Sequence, residues 1–463
     1  MKIYFITGSQ YLYGEDTLIQ VESDSKKIVE FINSKIDRVT VEYAGMVKTP
    51  EEAVSLVKKV NYDDECCGMM VWCHTFSPAK MWINGLKILN KPMLHLHTQF
   101  NRELPYDEID MDFMNLNQSA HGDREFAYIV TRLGIPRVSV AGYYQDEDTI
   151  SEIKKWVDVA VAIDHSKKIK VCRFGDNMRD VAVTEGDKVE AQIKLGWQVD
   201  YYGIGDIVKE INAVTSEEVD ALYAEITNLY TLKTDDVDAV KEQVKYEIAL
   251  KRFLSARGYT ALTTNFQDLW GLKQLFGMSI QRLMVEGYGF GAEGDWKIAA
   301  LGSVFKVMAK GREGVTAFME DYTYDLVKGE ELVLGAHMLE VSPAVASTKP
   351  TIEVHPLGIG DREPPARLVF DGIEGDAIAV CLVDMGTHMR LICAEIELVK
   401  QPKAMPKLPV ARLMWKLKPD FKTGAKAWLQ AGGAHHTVVS TALTADDMEL
   451  FAKLNGLEFI HIK

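Results

Sequence analysis

Short apolar segments alternate with helical patterns through the first third of the chain, and this alternation constrains the fold more than any other feature. Helical patterns separate five segments typical of buried strands, at 3–7, 69–73, 93–97, 138–141 and 169–173. In the first helical pattern Ile28, Ile32 and Ile36 recur every fourth residue, which marks one buried face. Strands without polar alternation that are joined by helices form parallel sheets covered on both faces. The sequence therefore predicts a doubly wound, Rossmann-like α/β domain.

The same α/β pattern continues through the middle third. A strand-like segment at 197–202 precedes two long helical patterns at about 216–231 and 236–256. A second strand-like segment at 259–264 leads into a helix that is predicted over 271–286. No linker rich in proline, glycine or serine separates this region from the first third. We therefore expect a second doubly wound parallel sheet here.

The pattern changes after about residue 315. Short β-rich segments alternate with turn residues, and both Asp371-Gly372 and the stretch 385–388 are typical of hairpin turns. These features predict an antiparallel, β-barrel-like domain. We expect three domains in all, namely an N-terminal α/β domain, a central α/β domain and a C-terminal β-rich domain, at 1–169, 170–315 and 316–463.

Composition restricts the classes of partner. The formal net charge of −15 disfavours nucleic acids and anionic membranes, which select clustered lysine and arginine. No apolar run is long enough for a transmembrane helix, and the N-terminal apolar run lacks the length and cleavage site of a signal peptide. We therefore expect a cytoplasmic protein that binds a neutral small molecule or a cation.

Six cysteines lie within apolar, strand-like segments, at positions 66, 67, 73, 172, 381 and 393. Their spacing follows no disulfide framework, so reduced and buried thiols are expected. A zinc site at Cys66, Cys67 and Cys73 is the alternative, but no fourth ligand has the required spacing.

The glycine-rich segment Gly287-Tyr-Gly-Phe-Gly-Ala-Glu-Gly-Asp-Trp-Lys297 presents one carboxylate at Glu293. Glycine allows positive φ angles and close approach to a ligand, so such a loop usually presents a functional group. Residues 289–294 also match the dinucleotide-binding fingerprint. However, a predicted helix end precedes them instead of a strand, and Glu293 would repel a pyrophosphate. A cation or a proton is a better partner for Glu293, and a solvated loop glutamate is the structural alternative.

Three further segments place acids and imidazoles beside small or aromatic residues. Glu320 lies within Phe318-Met-Glu-Asp-Tyr-Thr-Tyr324, His337 follows a Gly-Ala pair, and His435 and His436 follow an Ala-Gly-Gly-Ala stretch. Together with Glu293, and with one histidine taken from the pair, these segments offer two carboxylates and two imidazoles, which suit a divalent metal that keeps positions open for substrate.

Each of these residues also has a purely structural interpretation. Glu320 would be an outward-facing acid of an edge strand, and His337 would be a hydrogen-bonded core histidine. Adjacent histidines of an extended segment point to opposite faces, so we expect at most one of His435 and His436 to enter a given site.

Residues 117–125 are dense in hydrogen-bonding groups, among them Gln118 and His121. That density suits a hydroxyl-rich ligand, although a polar helix N-terminus explains it almost as well. The chain contains neither a G-x-S-x-G nucleophile elbow nor a Walker loop, so covalent hydrolases and NTPases are not favoured.

Long segments of the chain, in order, resemble the L-arabinose isomerase family. They include Gly8-Ser-Gln-Tyr-Leu-Tyr-Gly14, 74–82, 111–118 and Arg173-Phe-Gly-Asp-Asn-Met-Arg179, besides the four segments with the acids and histidines. The resemblance spans essentially the whole sequence. It implies an aldose–ketose isomerase, an intramolecular oxidoreductase of arabinose catabolism that converts L-arabinose to L-ribulose, often with D-galactose to D-tagatose as a side activity.

The resemblance also implies site residues and an assembly. One Mn(II) per subunit would be held by Glu293, Glu320, His337 and His436, with Co(II) or Mg(II) as alternative ions, and the two glutamates would be the acid and base. Positions that line the sugar pocket map to Gln10, Gln118, His121, Met178, Phe266 and Ile359. Members of the family form homohexamers with active sites at subunit interfaces.

Two residues depart from the family pattern. Trp270 and Phe276 stand where relatives often have histidine and proline. The resemblance therefore implies the metal ligands more firmly than the substrate preference.

Aldose–ketose isomerisation moves one proton between C2 and C1 and another between the two oxygens. Glu293 and Glu320, on opposite sides of the sugar, would exchange roles as base and acid across an enediolate. A hydride shift is the rival mechanism. The alternative function is a non-catalytic α/β sugar-binding protein, which accounts for Gln118 and His121 but not for two acids and two histidines in glycine-rich contexts.

Overall fold

The computed structural model describes all 463 residues, and their contacts group them into two compact units. The first unit contains Met1–Asp164 with Lys453–Gly456, and the second contains His165–Ala452 with Leu457–Lys463. None of the helices combines the length and the apolar character that a membrane span requires.

The first unit is built on five strands, β1 (Lys2–Gly8), β2 (Thr40–Val47), β3 (Cys66–Cys73), β4 (Met93–His97) and β5 (Val138–Ala141). All pairings are parallel, in the order β2-β1-β3-β4-β5. The connecting helices are α1 (Glu15–Lys35), α2 (Pro50–Tyr62), α3 (Ile83–Leu86), α4 (Met111–Leu116), α5 (Ser119–Arg132) and α6 (Glu147–Ser166). Every residue of β3 is buried, as its unbroken apolar sequence requires. The predicted doubly wound N-terminal sheet is confirmed.

The second unit begins with another parallel sheet. The next strands along the chain are β6 (Lys170–Phe174), β7 (Gln198–Tyr202), β8 (Thr231–Leu232), β9 (Ala261–Thr264) and β10 (Gly289–Gly291). Four of them form a sheet in the order β10-β9-β6-β7, with parallel pairings throughout. The helices of this region are α7 (Lys188–Leu195), α8 (Ile204–Asn212), α9 (Ser216–Leu229), α10 (Val237–Arg257), α11 (Met278–Val285) and α12 (Trp296–Met308). The predicted central parallel sheet is also confirmed.

The helix predicted over 271–286 is wrong in its first half, because α11 starts only at Met278. Gly271 adopts a φ of 105°, which an α-helix does not allow. Gly277, with a φ of −138°, is the residue before the helix. The two glycines therefore mark a loop that the apolar spacing alone does not reveal.

The rest of the second unit is mainly antiparallel. Its strands are β11 (Thr316–Asp325), β12 (Leu332–Ala336), β13 (Thr351–Val354), β14 (Ala366–Val369), β15 (Gly375–Asp384), β16 (Met389–Val399), β17 (Arg412–Leu417), β18 (His436–Ser440) and β19 (Glu458–Ile462). Six of them run in the order β15-β18-β11-β12-β17-β16, and β16 pairs back with β15 to close a barrel. β19 pairs with β16 in parallel, while β14, β13 and β8 form a separate small sheet. Two helices complete this region, α13 (Phe421–Ala431) and α14 (Ala445–Asn455). The predicted antiparallel barrel is confirmed.

Helix α12 joins the central sheet to the barrel. Nearly all of its residues are buried, and it packs against β9 and β10 on one side and against β11, β15 and β18 on the other. Because α12 packs against both the central sheet and the barrel, the chain needs no linker between the parallel and antiparallel parts. The glycine-rich segment ends at the start of α12, so it lies beside the barrel strands.

All six cysteines are buried free thiols. Burial raises the pKa of the Cys67 thiol to about 12, with a smaller contribution from neighbouring Cys66. The predicted reduced, buried cysteines are confirmed.

Candidate metal centre and active site

The loop between β10 and α12 holds Glu293 in an unusual backbone conformation. Glu293 has a φ of 57°, and Gly294 follows with a φ of 80°. A Cβ at Gly294 would lie 2.5 Å from Cα of Asn177, so only glycine fits there. The Met178 N–H donates to the Glu293 carbonyl at 2.9 Å, and the Asn177 side-chain amide donates to the Gly294 carbonyl at 3.1 Å. These bonds fix the loop and with it the Glu293 carboxylate.

Three neighbouring barrel strands supply the other predicted residues. Glu320 of β11 lies directly opposite His436, the first residue of β18. On its other side Glu320 pairs with Ala336, the last residue of β12, and His337 follows immediately. A side chain at Gly335 would overlap the Trp415 ring, so glycine lets β12 pass close to β17.

The four predicted side chains form one cluster. The Glu293 carboxylate lies 3.9 Å from Nε2 of His436, and the Glu320 carboxylate lies 3.8 Å from Nε2 of His337. The two imidazole centroids are 6.0 Å apart. Phe318 packs edge-on against both rings, with centroid distances of 5.3 Å, and closes the apolar side of the cluster.

Each of the two histidines is oriented by a carboxylate behind it. Nδ1 of His436 lies 3.2 Å from the Asp295 carboxylate, and Nδ1 of His337 lies 2.5 Å from the Glu340 carboxylate. Since a carboxylate accepts, Nδ1 donates in both pairs and Nε2 is left for another partner. Nε2 of His436 is buried and has no hydrogen-bond partner. Metal-binding histidines have this arrangement, with one nitrogen bonded to a carboxylate and the other on the ion.

The electrostatics of the cluster also suit a cation. Burial raises the pKa of Glu293, but the imidazoles of His435, His436 and His337 outweigh it and hold this pKa below its ordinary value. Burial lowers the pKa of His337, but Glu340, Glu320 and Glu293 together raise it to about 9. The carboxylates thus favour a positive charge among them, as a proton or as a bound cation.

The structure differs from the expectation for the histidine pair. His435 Nε2 lies 3.4 Å from the Glu293 carboxylate, so both His435 and His436 face the same acid. The expected alternation does not apply because β18 begins at His436 and His435 lies in the preceding loop. One potential ligand atom from each of Glu293, His435 and His436 lies within 4.8 Å of the others, a set that overlaps only in part with the predicted one.

Sequence reasoning missed Asp295 and Glu340 as parts of the cluster, and it admitted only one of His435 and His436. Asp295 and Glu340 follow predicted site residues, Glu293 and His337, by two and three positions. That proximity was the available signal, since carboxylates beside metal-binding histidines are common in such sites.

The predicted sugar-contacting residues lie in both units. Met178 contacts the Glu293 loop through its backbone N–H, Phe266 follows β9, and Ile359 lies between β13 and β14. Gln10, Gln118 and His121 belong to the first unit, where Tyr13 Oη lies 3.5 Å from Oε1 of Gln118 and His121 is exposed.

The two departures from the family pattern have different environments. Trp270 is 66% exposed and its ring stacks under the Arg362 guanidinium at 4.1 Å. Phe276 is buried and packs edge-on against Tyr246, with ring centroids 5.4 Å apart.

Comparison with known proteins places the whole chain in one family. The family model described as "L-arabinose isomerase N-terminal domain" matches residues 1–168, the "central domain" model matches 170–311 and the "C-terminal domain" model matches 315–458. The chain belongs to the L-arabinose isomerase family. Its family membership makes it an isomerase and not a non-catalytic sugar-binding protein.

Curated members of the L-arabinose isomerase family match almost the full length. "L-arabinose isomerase 1" of Bacillus licheniformis is 55% identical, with 99% of this chain and 93% of that protein covered. "L-arabinose isomerase" of Halalkalibacterium halodurans is 54% identical over 99% and 93%. The Bacillus subtilis protein of the same name is 52% identical over 100% and 94%.

Similarity to solved structures is much weaker. A carbohydrate transporter from Acidothermus cellulolyticus, solved with myo-inositol, is 14% identical and covers 71% of this chain and 90% of its own, with a TM-score of 0.18. This value is too low to support an inference about fold or ligand.

Proposed function

We propose that this protein converts L-arabinose to L-ribulose and depends on a divalent metal ion. Two features support the substrate and the metal: the names of its closely similar relatives and the cluster of acids and imidazoles. The observation that carries most weight is the buried Nε2 of His436, which has no partner while Nδ1 faces the Asp295 carboxylate. A buried acceptor of this kind is costly unless a ligand occupies it.

We propose Glu293, Glu320, His337 and His436 as the ligands of one Mn(II) per subunit. The carboxylates at Nδ1 of both histidines favour this set, because they direct Nε2 of each ring towards the acids. His435 has no such carboxylate and is the less favoured ligand. Mixed carboxylate and imidazole donors also accept Co(II) or Mg(II), so the donor set does not select manganese by itself.

Glu293 and Glu320 are the proposed acid and base. A bound divalent ion supplies Lewis-acid stabilisation of the negative charge that develops on the sugar oxygens. One glutamate removes the proton from C2 and returns it to C1, while the other exchanges a proton with the hydroxyl and carbonyl oxygens. Such proton transfers contribute roughly 10²–10⁴ in rate. The neighbouring imidazoles hold the pKa of Glu293 below its ordinary value, which favours the carboxylate form that a base requires.

We assign the sugar contacts to Gln10, Gln118, His121, Met178, Phe266 and Ile359, on the basis of the family resemblance. Met178 is directly supported by its hydrogen bond to the Glu293 loop at 2.9 Å, which holds it beside the acid. D-Galactose, which differs from L-arabinose by an added hydroxymethyl group, is the proposed side substrate.

A ketose assay before and after chelation tests this function. The purified protein should form L-ribulose from L-arabinose, lose that activity after treatment with a chelator, and regain it when Mn(II) is added back. Aldoses with the opposite configuration at C2 serve as controls and should give little product. A protein that forms no ketose from L-arabinose with any of Mn(II), Co(II) or Mg(II) would contradict the proposal.

We also propose that the protein is cytoplasmic and forms a homohexamer with active sites at subunit interfaces. Each chain would have three domains, with boundaries near residues 169 and 315. Sedimentation equilibrium should give six times the mass of the 52.0 kDa chain. A monomer that retains full activity would contradict the shared active site.

A further inference from the structure

Lys297 is a fully buried cation behind the proposed metal site. It lies in the first turn of α12, and its side chain has no solvent exposure. Its Nζ donates to the carbonyls of Thr184 at 2.8 Å and Glu185 at 2.5 Å, and lies 3.5 Å from the Asp295 carboxylate. A buried ammonium is costly to desolvate, and these three oxygens are what compensates for that cost.

Asp295 connects this cation to the metal site. The carboxylate is 1% exposed and contacts Lys297 through Oδ1 and Nδ1 of His436 through Oδ2. Oδ1 also accepts from the Ile298 N–H at 3.3 Å, which caps α12. Both oxygens of Asp295 are therefore committed, and the carboxylate has one orientation. Lys297, Asp295 and His436 form a continuous buried series that ends at the unpartnered Nε2 of His436.

The same lysine also contacts the loop that carries Met178. The Thr184 carbonyl accepts from Lys297 and from the Asn177 side-chain amide at 2.6 Å. The Asn177 amide donates in turn to the Gly294 carbonyl, beside Glu293. Lys297 is thus linked by hydrogen bonds to two backbone segments next to the proposed ligands.

We propose that Lys297 is a positioning residue that fixes the His436 imidazole through Asp295 and thereby sets the affinity for the metal ion. This inference rests on the metal site of the proposed function. Lys297 does not touch the ion or the sugar. Its contact with Oδ1 holds the Asp295 carboxylate in one orientation, and Oδ2 of that carboxylate accepts from Nδ1 of His436, which leaves Nε2 for the ion.

The first test measures Mn(II) affinity of the Lys297→Met protein by the electron paramagnetic resonance signal of free Mn(II). Methionine keeps most of the buried volume but removes the charge. We expect the Kd for Mn(II) to rise about 10–100-fold, the range for loss of an outer partner of a metal ligand. The absorption bands of bound Co(II) should also change, because the His436 ring changes its position. Unchanged Mn(II) affinity and an unchanged Co(II) spectrum would overturn the proposal.

Lys306→Met is the matched control. Lys306 lies on the same helix and is half-buried, but its Nζ donates to the Met284 carbonyl and not to a carboxylate of the site. This variant should bind Mn(II) within about twofold of the unmodified protein. If Lys306→Met weakens binding as much as Lys297→Met, the effect is a general loss of helix packing and the proposal fails.

A double-mutant cycle tests whether Lys297 acts through Asp295. Asp295→Asn alone should weaken Mn(II) binding. Adding Lys297→Met to Asp295→Asn should change the Kd less than about twofold, because the carboxylate on which Lys297 acts is already absent. Neither Asp295→Asn nor the double variant contains an unpaired buried carboxylate. The comparison of these two proteins therefore remains informative if Lys297→Met alone does not fold. Independent, multiplicative effects of the two substitutions would overturn the proposed route.

The unmodified protein separates the two hypotheses. If it binds no Mn(II), the metal site of the proposed function is wrong. If it binds Mn(II) and Lys297→Met binds it equally well, only the role of Lys297 is wrong.

Discussion

Nδ1 of His337 lies 2.5 Å from the carboxylate of Glu340, and Nε2 of the same ring lies 3.8 Å from the carboxylate of Glu320. The imidazole thus lies between two carboxylates that have different roles. Glu340 fixes the ring and its proton, while Glu320 shares with Nε2 the space where a cation would bind. A second pair, Asp295 before α12 and His436 at the start of β18, repeats the arrangement on the other side of β11.

Glu340→Gln should weaken metal binding with little effect on folding. Glutamine still accepts a hydrogen bond from Nδ1 of His337 but carries no charge, so the ring loses part of its basicity. We expect the Kd for Mn(II) to rise about tenfold or more, measured by isothermal titration calorimetry. Glu449→Gln, at an exposed position of α14, is the control and should leave the Kd unchanged.

Glu293→Gln and Glu320→Gln should each lower kcat by at least about 10², measured at saturating Mn(II), because either change removes a group that transfers protons. Circular dichroism should show that both variants are folded. Retention of more than about a hundredth of the kcat by either variant would contradict its role as acid or base.

Deuterium incorporation distinguishes the two possible routes of isomerisation. In deuterated water, proton transfer through an enediolate should place solvent deuterium on carbon in the ketose, since a carboxylate exchanges its proton with solvent. Mass spectrometry of the product gives the answer. Ketose without carbon-bound deuterium, after many turnovers, would favour the hydride shift.

Gly294→Ala should destabilise the protein and displace Glu293. The new Cβ would meet Cα of Asn177 at 2.5 Å, and the φ of 80° is itself unfavourable for alanine. We expect a loss of about 1–3 kcal/mol in the free energy of unfolding, measured by urea denaturation, together with a lower kcat. Gly311→Ala is the matched control, because Gly311 has a φ of 86° and no atom within 4 Å of its added Cβ. The Gly311→Ala protein should lose only about 1 kcal/mol in the free energy of unfolding, because alanine is unfavourable at a positive φ but meets no neighbouring atom.

Asp63→Asn should reduce stability in a pH-dependent way. The Tyr4 hydroxyl donates to the Asp63 carboxylate at 2.5 Å, and Lys2 lies 3.2 Å from it. The hydrogen bond from Tyr4 is the main cause that lowers the pKa of Asp63 from 3.8 to about 2. Because the folded pKa is the lower one, the stabilisation is complete above about pH 4 and is lost as the pH falls towards 2.

The difference in Tm between Asp63→Asn and the unmodified protein measures this effect. At pH 7 the difference in Tm should correspond to a loss of about 1 kcal/mol in the free energy of unfolding, a modest value because the carboxylate is partly exposed. The difference in Tm should become smaller below pH 4. Asp64→Asn, at the exposed neighbouring position, should show no such dependence. If the difference in Tm between the two proteins stays constant from pH 7 to pH 3, the ionised Asp63 carboxylate is not the source of the stabilisation.

The sequence was most informative where its periodicity was strong. The unbroken apolar sequence of β3 predicts a buried parallel strand, and the turn residues after 315 predict an antiparallel barrel. The start of α11 could not be predicted, because apolar spacing continues through a loop whose course depends on the φ of Gly271.

The residues of the cluster were predictable in part. Glu293, Glu320, His337 and the histidine pair stand out because small or aromatic residues surround them, and the resemblance to the family favoured His436 over His435. Asp295 and Glu340 could not be assigned, because a charged residue near a site is usually solvated and only the folded loop shows that it faces an imidazole. The position of His435 depended on the residue at which β18 begins, which sequence patterns do not fix.

The direct pairing of Glu320 with His436 across β11 and β18 has a consequence for how the barrel reaches its native state. A slip of β18 by one residue would turn His436 to the opposite face and bring Thr437 or His435 opposite Glu320. Only the native alignment would then offer the ion its full set of donors. If the proposed site binds manganese, the ion added during refolding would thus favour the chains in which β18 is correctly aligned.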